Sequence, residues 1–207
     1  MFRLSLHIAI CKIRPSLLIL CLLLGLSGST ALALDNQNKP QMQDKQVKQT
    51  FLSCAIITSE HLTALQLFQR GLPMQLAVDS LPGISRDGRK RLEFVYDLAK
   101  RIGVLNTYAD INTNFARCAT LVYETKGKPA ADMKEYAYYF CAGENKVRFE
   151  IILKLDRNYS IKEITKDLPS RYHDVVIRYK SLIETEGNLA AFDLTANNLK
   201  ACLQQIE

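Results

Sequence analysis

A short frame of residues occurs twice in this chain of 207 residues. The frame consists of a Cys-Ala pair, an arginine sixteen residues after the cysteine, and a Leu-Pro pair that begins eleven residues after the arginine. The first copy is Cys54-Ala55, Arg70 and Leu81-Pro82, and the second is Cys141-Ala142, Arg157 and Leu168-Pro169. Two such copies predict an internal duplication, in which two diverged modules follow one another along the chain.

Apolar residues in both copies recur at the three- and four-residue spacing of an amphipathic helix. The clearest correspondence is Tyr108, Ile111, Phe115, Cys118 and Val122 in one copy and Phe192, Thr195, Leu199, Cys202 and Ile206 in the other. Each copy predicts four helices, so we expect an all-α fold with about eight helices in two tandem modules. The alternative is that unrelated amphipathic helices share apolar positions by chance.

The first predicted helix of each copy ends at a residue suited to left-handed backbone angles. Gly71 follows Arg70, and Asn158 follows Arg157. Glycine and asparagine tolerate positive φ best, and helices commonly end in that conformation. The sequence therefore predicts a positive φ at both positions.

The segment from residue 146 to 156 contains two conflicting patterns. Val147, Phe149, Ile151, Leu153 and Leu155 alternate with mainly polar residues, as in a strand. The duplication instead requires a helix here, because the first copy is helical at the matching positions. We therefore predict a helix for 146–156, with a strand as the alternative.

The N-terminal segment has the composition of a signal peptide. Basic residues precede an apolar stretch from Leu17 to Leu26, which is shorter than a membrane-spanning helix, and Ala31-Leu32-Ala33 is a suitable cleavage site. The sequence thus predicts a signal peptide at 1–33, a disordered polar tether at 34–48, and helical modules at 49–126 and 127–207. An uncleaved anchor is the alternative; after cleavage no integral membrane span is expected.

Removal of residues 1–33 changes the charge and the cysteine count. The remaining chain has 24 basic and 21 acidic residues, a net charge of +3 that gives no reason to expect a nucleic-acid partner. Four cysteines remain, and an even number in an exported chain indicates disulfides in a periplasmic or secreted protein. Four cysteines allow three pairings, of which the duplication favours Cys54 with Cys118 and Cys141 with Cys202.

Few residues in the predicted mature chain suggest catalysis. Its only histidines, His61 and His173, follow and precede the acidic residues Glu60 and Asp174. Neighbouring residues on a helix point in different directions, so neither pair forms a ready catalytic dyad. If the protein is an enzyme, we expect these four residues to act in it. Otherwise His61 is a histidine at the edge of the core and His173 is a solvated surface residue.

The sequence gives no reason to expect a metal or a cofactor. It contains no H-E-x-x-H, C-x-x-C, Walker or G-x-S-x-G motif. The segment Asp110-Ile111-Asn112-Thr113-Asn114 resembles the start of a calcium loop, but Phe115 replaces the turn glycine and Leu121 replaces the bidentate glutamate.

A basic cluster offers a candidate contact surface. Arg86, Arg89, Lys90 and Arg91 could bind an acidic partner or anionic lipid, although charge runs are more often solvated helix faces. A second candidate is the aromatic run at 136–140, which contains Tyr136, Tyr138, Tyr139 and Phe140 and would otherwise pack between the modules.

The copies differ most informatively seven residues after each first cysteine. One has His61 there and the other has Arg148, with Glu144 one helical turn earlier and able to pair with it.

Together these patterns favour an exported, non-enzymatic helical protein that binds another, unidentified protein as an inhibitor, an immunity-type protein or an adaptor. The alternatives are a small periplasmic hydrolase that uses His173 or His61, and a carrier of apolar small ligands.

Overall fold

The computed structural model describes residues 49–81 and 83–206, and within these ranges the regular structure is helical, with no strand. The all-α prediction is therefore confirmed. The predicted signal peptide and tether, residues 1–48, lie outside the described residues. The described residues fall in one compact unit; the predicted division into modules at 49–126 and 127–207 stays a prediction.

Eight α-helices follow one another in the described part of the chain. They are α1 (Phe51–Gln69), α2 (Met74–Asp79), α3 (Arg86–Ile102), α4 (Val104–Lys126), α5 (Lys134–Asp156), α6 (Ile161–Thr165), α7 (His173–Glu186) and α8 (Asn188–Gln204). A single 3-10 turn, Ser170–Tyr172, precedes α7.

Local sequence explains where the helices begin and end. The Thr50 side chain accepts a hydrogen bond from the Ser53 amide at 3.0 Å and begins α1, and Ser160 caps α6 together with Glu163. Just beyond α1 and α5, Gly71 has φ +75° and Asn158 has φ +61°. The predicted positive φ is thus confirmed at both positions.

The core lies among four helices, α1, α4, α5 and α8, each of which contacts the other three. Outside this bundle, α3 packs against α1 and α4, while α7 packs against α5 and α8. The short helices α2 and α6 pack on α3 and α7 respectively. Each half of the chain therefore contributes two bundle helices and one outer long helix.

The segment 146–156 is the second half of α5 and is helical, as predicted. Ile151 and Ile152 are both buried, at 1% and 0% exposure. Adjacent residues of a helix can both be buried when neighbouring helices cover several of its sides, and α5 contacts α1, α4, α7 and α8. This packing, not a strand, accounts for the alternating apolar pattern.

One disulfide in each half joins its first long helix to its last. Cys54 is bonded to Cys118, and Cys141 is bonded to Cys202, so the predicted pairing is confirmed. Each bond links the first half of one helix to the second half of the other. At the opposite ends, the Tyr108 hydroxyl donates to Gln69, and Asn188 donates to Asp156. Helix α1 therefore runs antiparallel to α4, and α5 runs antiparallel to α8. Two such bonds are consistent with an oxidising compartment.

Among the described residues, α1 is the one helix long and apolar enough to meet the criteria for a membrane span. It contacts α3, α4, α5 and α8 within the bundle. A core helix of a water-soluble protein meets the same criteria, so α1 carries no argument for a span.

The aromatic run that precedes Cys141 divides between core and surface. Tyr138 is buried, and the Tyr139 ring lies 5.2 Å from the Phe51 ring and 6.1 Å from the Tyr123 ring, measured between centroids. Phe140 is 47% exposed. Tyr139 therefore packs between helices of the two halves, as one of the two interpretations predicted, and Tyr138 is part of the core.

Candidate functional site

Three of the four predicted basic residues of α3 are exposed. The buried side of this helix consists of Gly88, Leu92, Val95, Tyr96 and Ala99. With about 100° between successive residues, Arg86 and Lys90 lie opposite that side and Arg89 lies at its border, and all three side chains are exposed. No carboxylate among the described residues lies within ion-pair distance of these three cations.

Arg91 has a different role from its three neighbours. Its Nε donates to Glu60 Oε2 at 2.5 Å, which links α3 to α1. Both side chains are partly exposed, so this ion pair positions the helix and contributes little stability. The predicted cluster therefore separates into three exposed cations and one that is already paired.

An exposed phenylalanine lies one helical turn from one of these cations, Lys90, and was not predicted from the sequence. Phe94 is 51% exposed and lies one helical turn after Lys90 on the outer side of α3. Its ring centroid is 6.2 Å from that of His61. The i, i+4 relation to Lys90 was the available signal. We call Arg86, Arg89, Lys90 and Phe94 the α3 face.

A small cavity lies behind the α3 face, beside the first disulfide. It has a volume of about 110 Å³, and its lining includes Cys54, Cys118, His61, Asp110 and Asn114. Ile57 of α1 and Phe94 of α3, both substantially exposed, also line it. We call it the Cys54 cavity.

His61 presents an unsatisfied nitrogen within this region. Its Nε2 is sealed from solvent and has no hydrogen-bond partner among the described residues. Burial lowers the pKa of His61, and the positive charge of Arg91 lowers it further, while the charges of Glu60 and Asp110 partly oppose both. The imidazole is therefore neutral at pH 7.

The structure contains no hydrogen bond between His61 and Glu60. The Glu60 carboxylate instead accepts a hydrogen bond from Arg91. The acid that lines the cavity with His61 is Asp110, which belongs to α4. Its Oδ2 accepts from Asn114 Nδ2 at 3.0 Å. Sequence proximity had pointed to Glu60, and only the packing of α4 on α1 brings Asp110 to the cavity.

The other predicted histidine lies at the start of α7 and is half-buried. His173 Nε2 lies 3.2 Å from the Leu168 carbonyl oxygen, which occupies that ring nitrogen with a backbone contact. Asp174 is exposed. The described residues contain no hydrogen bond or ion pair between either histidine and a carboxylate.

A second cavity, of about 240 Å³, lies beside Cys141 and Cys202. It is lined by Glu144 and Arg148, and Arg148 Nη1 donates to Glu144 Oε2 at 2.6 Å. The predicted pairing of these residues is confirmed. The Tyr172 hydroxyl also donates to Glu144, and Arg171 lies 3.7 Å from it.

The Glu144 carboxylate is stabilised in its charged form. Burial alone raises its pKa, but hydrogen bonds from Tyr172 and Arg148 and the charges of Arg148 and Arg171 outweigh that effect, so the pKa is lowered. A lowered folded-state pKa stabilises the fold above the unfolded-state pKa, and this contribution is lost as pH falls through the folded-state value.

Glu144→Gln is expected to reduce the free energy of unfolding at pH 7 by about 1–3 kcal/mol, because charged hydrogen bonds are lost at a site only 19% exposed. The deficit relative to wild type should shrink as pH falls below the ordinary glutamate pKa of 4.5 and through the lowered pKa of Glu144, where the wild-type carboxylate takes up its proton. Urea unfolding across this range measures it. Glu150→Gln removes a more exposed pair with Lys146 and should cost under about 1 kcal/mol; equal effects would contradict the prediction.

A polar network crosses between the two halves at the other end of the bundle. The buried Gln66 donates through Nε2 to Asp193 Oδ1 at 2.5 Å and to Asn197 Oδ1 at 3.0 Å, and it accepts from Lys200. The Tyr108 hydroxyl donates to Asp193 at 3.0 Å. Burial lowers the pKa of Lys200. These hydrogen bonds provide partners for polar groups inside the bundle, and no sequence motif predicted them.

Within the described residues, no group of three or more His, Cys, Asp and Glu side chains is arranged to hold a metal ion. Comparison of the chain with protein-family models, with curated proteins and with solved structures found no match. The candidate sites are therefore the α3 face and the cavities beside the two disulfides.

Proposed function

We propose that this protein is an exported, non-enzymatic binding protein whose α3 face docks onto an acidic surface of a partner protein. The observation that carries the proposal is the half-exposed Phe94 one helical turn after Lys90, on a helix where the exposed Arg86, Arg89 and Lys90 form no ion pair with a described carboxylate. The two disulfides support the exported location.

The α3 face has the composition that protein interfaces favour. Arginine and aromatic residues are enriched where most binding energy is concentrated, because they combine large contact area with directed polar groups. Exposed cations that form no ion pair within the described residues add electrostatic steering toward an acidic partner. An aromatic anchor bordered by cations thus fits a protein surface of the opposite charge.

The corresponding face of the second half lacks this charge. Ile177 occupies the position on α7 that matches Phe94 and is also exposed, at 52%. The residues four and three positions before it are His173 and Asp174, where α3 has Lys90 and Arg91. A basic residue at these matching positions is specific to the first half, which supports docking through α3.

We further propose that the two halves, 49–126 and 127–207, arose by duplication. Both have a long helix, a short helix and two further long helices, with a disulfide from the first to the last. Residues of positive φ stand at matching helix ends, Gly71 with Asn158 and Gly103 with Gly187. What the copies share then belongs to the scaffold, and what differs between them is where function is to be sought.

The binding role is favoured over the hydrolase that the sequence left open. A hydrolase would require a histidine aligned by a carboxylate, whereas Glu60 bonds to Arg91 and His173 bonds to a backbone carbonyl. No observation on the described residues supports a carrier of apolar ligands. The hydrolase and the carrier are the alternatives against which the test below is set.

The test places a photo-crosslinking amino acid at Phe94 in the source organism and identifies adducts in the exported fraction by mass spectrometry. We expect one principal adduct, with a protein that has an acidic surface. Arg89→Glu combined with Lys90→Glu should reduce its yield about tenfold or more, because electrostatic steering becomes repulsion. Added salt should also weaken the adduct.

The matched control is Lys162→Glu with Lys166→Glu, which makes the same charge change at exposed positions in the second half. It should leave the adduct yield unchanged. A crosslinker at Ile177 should give no principal adduct. Equal loss with both charge reversals, or an adduct at Ile177 and none at Phe94, would contradict the proposed docking face.

A further inference from the structure

We infer that Asn158 is an N-glycosylation site, to which an oligosaccharide is attached when the chain is exported. The inference rests on the exported location in the proposed function, but it involves neither α3 nor a protein partner. It begins from five consecutive residues, which run from Asp156, the last residue of α5, to Ser160, the N-cap of α6.

The sequence of this segment is that of an acceptor for N-linked glycans. Asn158 is followed two residues later by the hydroxyl of Ser160, and the residue between them, Tyr159, is not proline. Oligosaccharyltransferases require that arrangement in the chain that they modify. Some of them also bind a carboxylate two residues before the asparagine, and Asp156 supplies it. No other asparagine of the sequence has serine or threonine two residues after it.

The structure presents this segment on the surface. Residues 156–160 are all exposed, and Tyr159 is 48% exposed. Asn158 has φ +61° and lies in the turn between α5 and α6. Acceptor asparagines of exported proteins lie in surface loops of this kind. A glycan on Asn158 would therefore displace no buried side chain of this segment.

The first half of the chain makes the same turn without an acceptor. Gly71 stands at the place of Asn158, with φ +75°, and Pro73 stands at the place of Ser160. Pro73 precedes α2 as Ser160 precedes α6. The turn thus forms without an asparagine or a hydroxyl, and the acceptor sequence is one of the differences between the two halves.

The reaction needs one co-reactant, an oligosaccharide joined to a lipid through pyrophosphate. The Asn158 Nδ2 forms a bond to the anomeric carbon of the first sugar, and the bond between that carbon and the pyrophosphate oxygen breaks. The leaving lipid pyrophosphate keeps the electron pair of that bond. The amide loses one proton, which balances the negative charge gained by the leaving group. No oxidant or reductant takes part.

The hydroxyl that the transferase requires also caps α6. Ser160 Oγ donates to Glu163 Oε2 at 2.7 Å and accepts from the Glu163 amide at 3.3 Å. Transfer therefore takes place before this cap forms or while it is open. Both residues are exposed, so opening the cap uncovers no buried side chain of the pair.

The test purifies the full protein from the exported fraction of the source organism and digests it with a protease that cleaves after lysine. Cleavage at Lys154 and Lys162 releases peptide 155–162, which contains the whole acceptor sequence. We expect mass spectrometry to find this peptide heavier by an oligosaccharide, with sugar fragment ions and the added mass on Asn158. Exported protein that yields only the unmodified peptide would overturn the inference.

Asn158→Gly is the matched variant, because it removes the acceptor and keeps the turn. Glycine takes positive φ readily and stands at this place in the first half. The added mass should disappear from the peptide. A glycan that persists in this variant would lie on another residue, which would also overturn the inference.

Two further substitutions test the recognised neighbours. Ser160→Ala should abolish modification, whereas Ser160→Thr keeps both the acceptor sequence and a helix cap and should retain it. Asp156→Asn can still accept from Asn188, but it lacks the charge and should lower the modified fraction about tenfold or more. Unchanged modification in Ser160→Ala would overturn the site, and in Asp156→Asn it would overturn the role of Asp156.

The outcomes also separate this site from the docking face. Asn158→Gly changes no residue of α3, so the Phe94 adduct should form in this variant as in wild type. An unmodified peptide from exported protein would remove the glycan and leave the docking face standing. Absence of the protein from the exported fraction would instead remove the location on which both depend.

Discussion

Replacing Cys54 and Cys118 together by alanine is expected to lower the free energy of unfolding by about 4 kcal/mol. The disulfide spans 64 residues, and without it the unfolded chain regains the conformational entropy that the closed loop removes. Because domains of this size are stable by only about 5–15 kcal/mol, the variant should be marginally stable. Urea unfolding at equilibrium, with wild type measured in parallel, gives the difference.

The second disulfide supplies the matched comparison. Cys141 and Cys202 are 61 residues apart, so their replacement by alanine should cost nearly the same. Reducing wild type should remove both contributions. A loss below about 1 kcal/mol for either pair would show that the unfolded chain is already restricted there, contrary to the chain-entropy account.

The left-handed residue at Asn158 could be predicted because a single helix end determines it: asparagine tolerates that conformation just past a helix. The disulfide pairing needed more than one helix, because it states which helices meet. The proposed duplication supplied that information by placing the four cysteines at matching positions in two sets of helices.

Helical periodicity was less informative where a helix is covered on several sides. A spacing of 100° per residue puts Ile57 on one face with Cys54, His61 and Leu65, yet Ile57 is 40% exposed. The buried side of α1 includes Ala55 and Leu62, because α4, α5 and α8 all contact this helix while α3 contacts another side. The apolar residues along one face of a helix do not show how many other helices will pack against it.

The site could be predicted only in part, for a related reason. The basic cluster was predicted, but the separate role of Arg91 was not. Arg91 meets Glu60 only through the packing of α3 on α1. Similarly, Gln66 and Asp193 bond across 127 residues of sequence. Contacts between helices depend on packing, which a single sequence pattern does not encode.

Phe192→Ala is expected to reduce the free energy of unfolding by about 3–5 kcal/mol. Phe192 on α8 is 4% exposed and stacks on Tyr108 of α4 with 5.8 Å between ring centroids, while Phe149 of α5 lies 6.1 Å away. Truncation would leave a cavity between helices of both halves. Urea unfolding followed by tyrosine fluorescence and circular dichroism measures the loss. The control is Phe140→Ala, at an exposed position of α5, which should change the free energy of unfolding by about 0.5 kcal/mol.

The same variant tests whether the two proposed modules are energetically independent. Tyr108 and Phe192 belong to different halves, so their stacking stabilises either half only while the other is folded. If the halves form one cooperative unit, Phe192→Ala should lower the hydrogen-exchange protection of slowly exchanging amides in α1 and α5 by the same free energy. Lowered protection in α5 with unchanged protection in α1 would instead mean that each disulfide-linked module unfolds alone, so that duplication produced two adjacent domains and not one bundle.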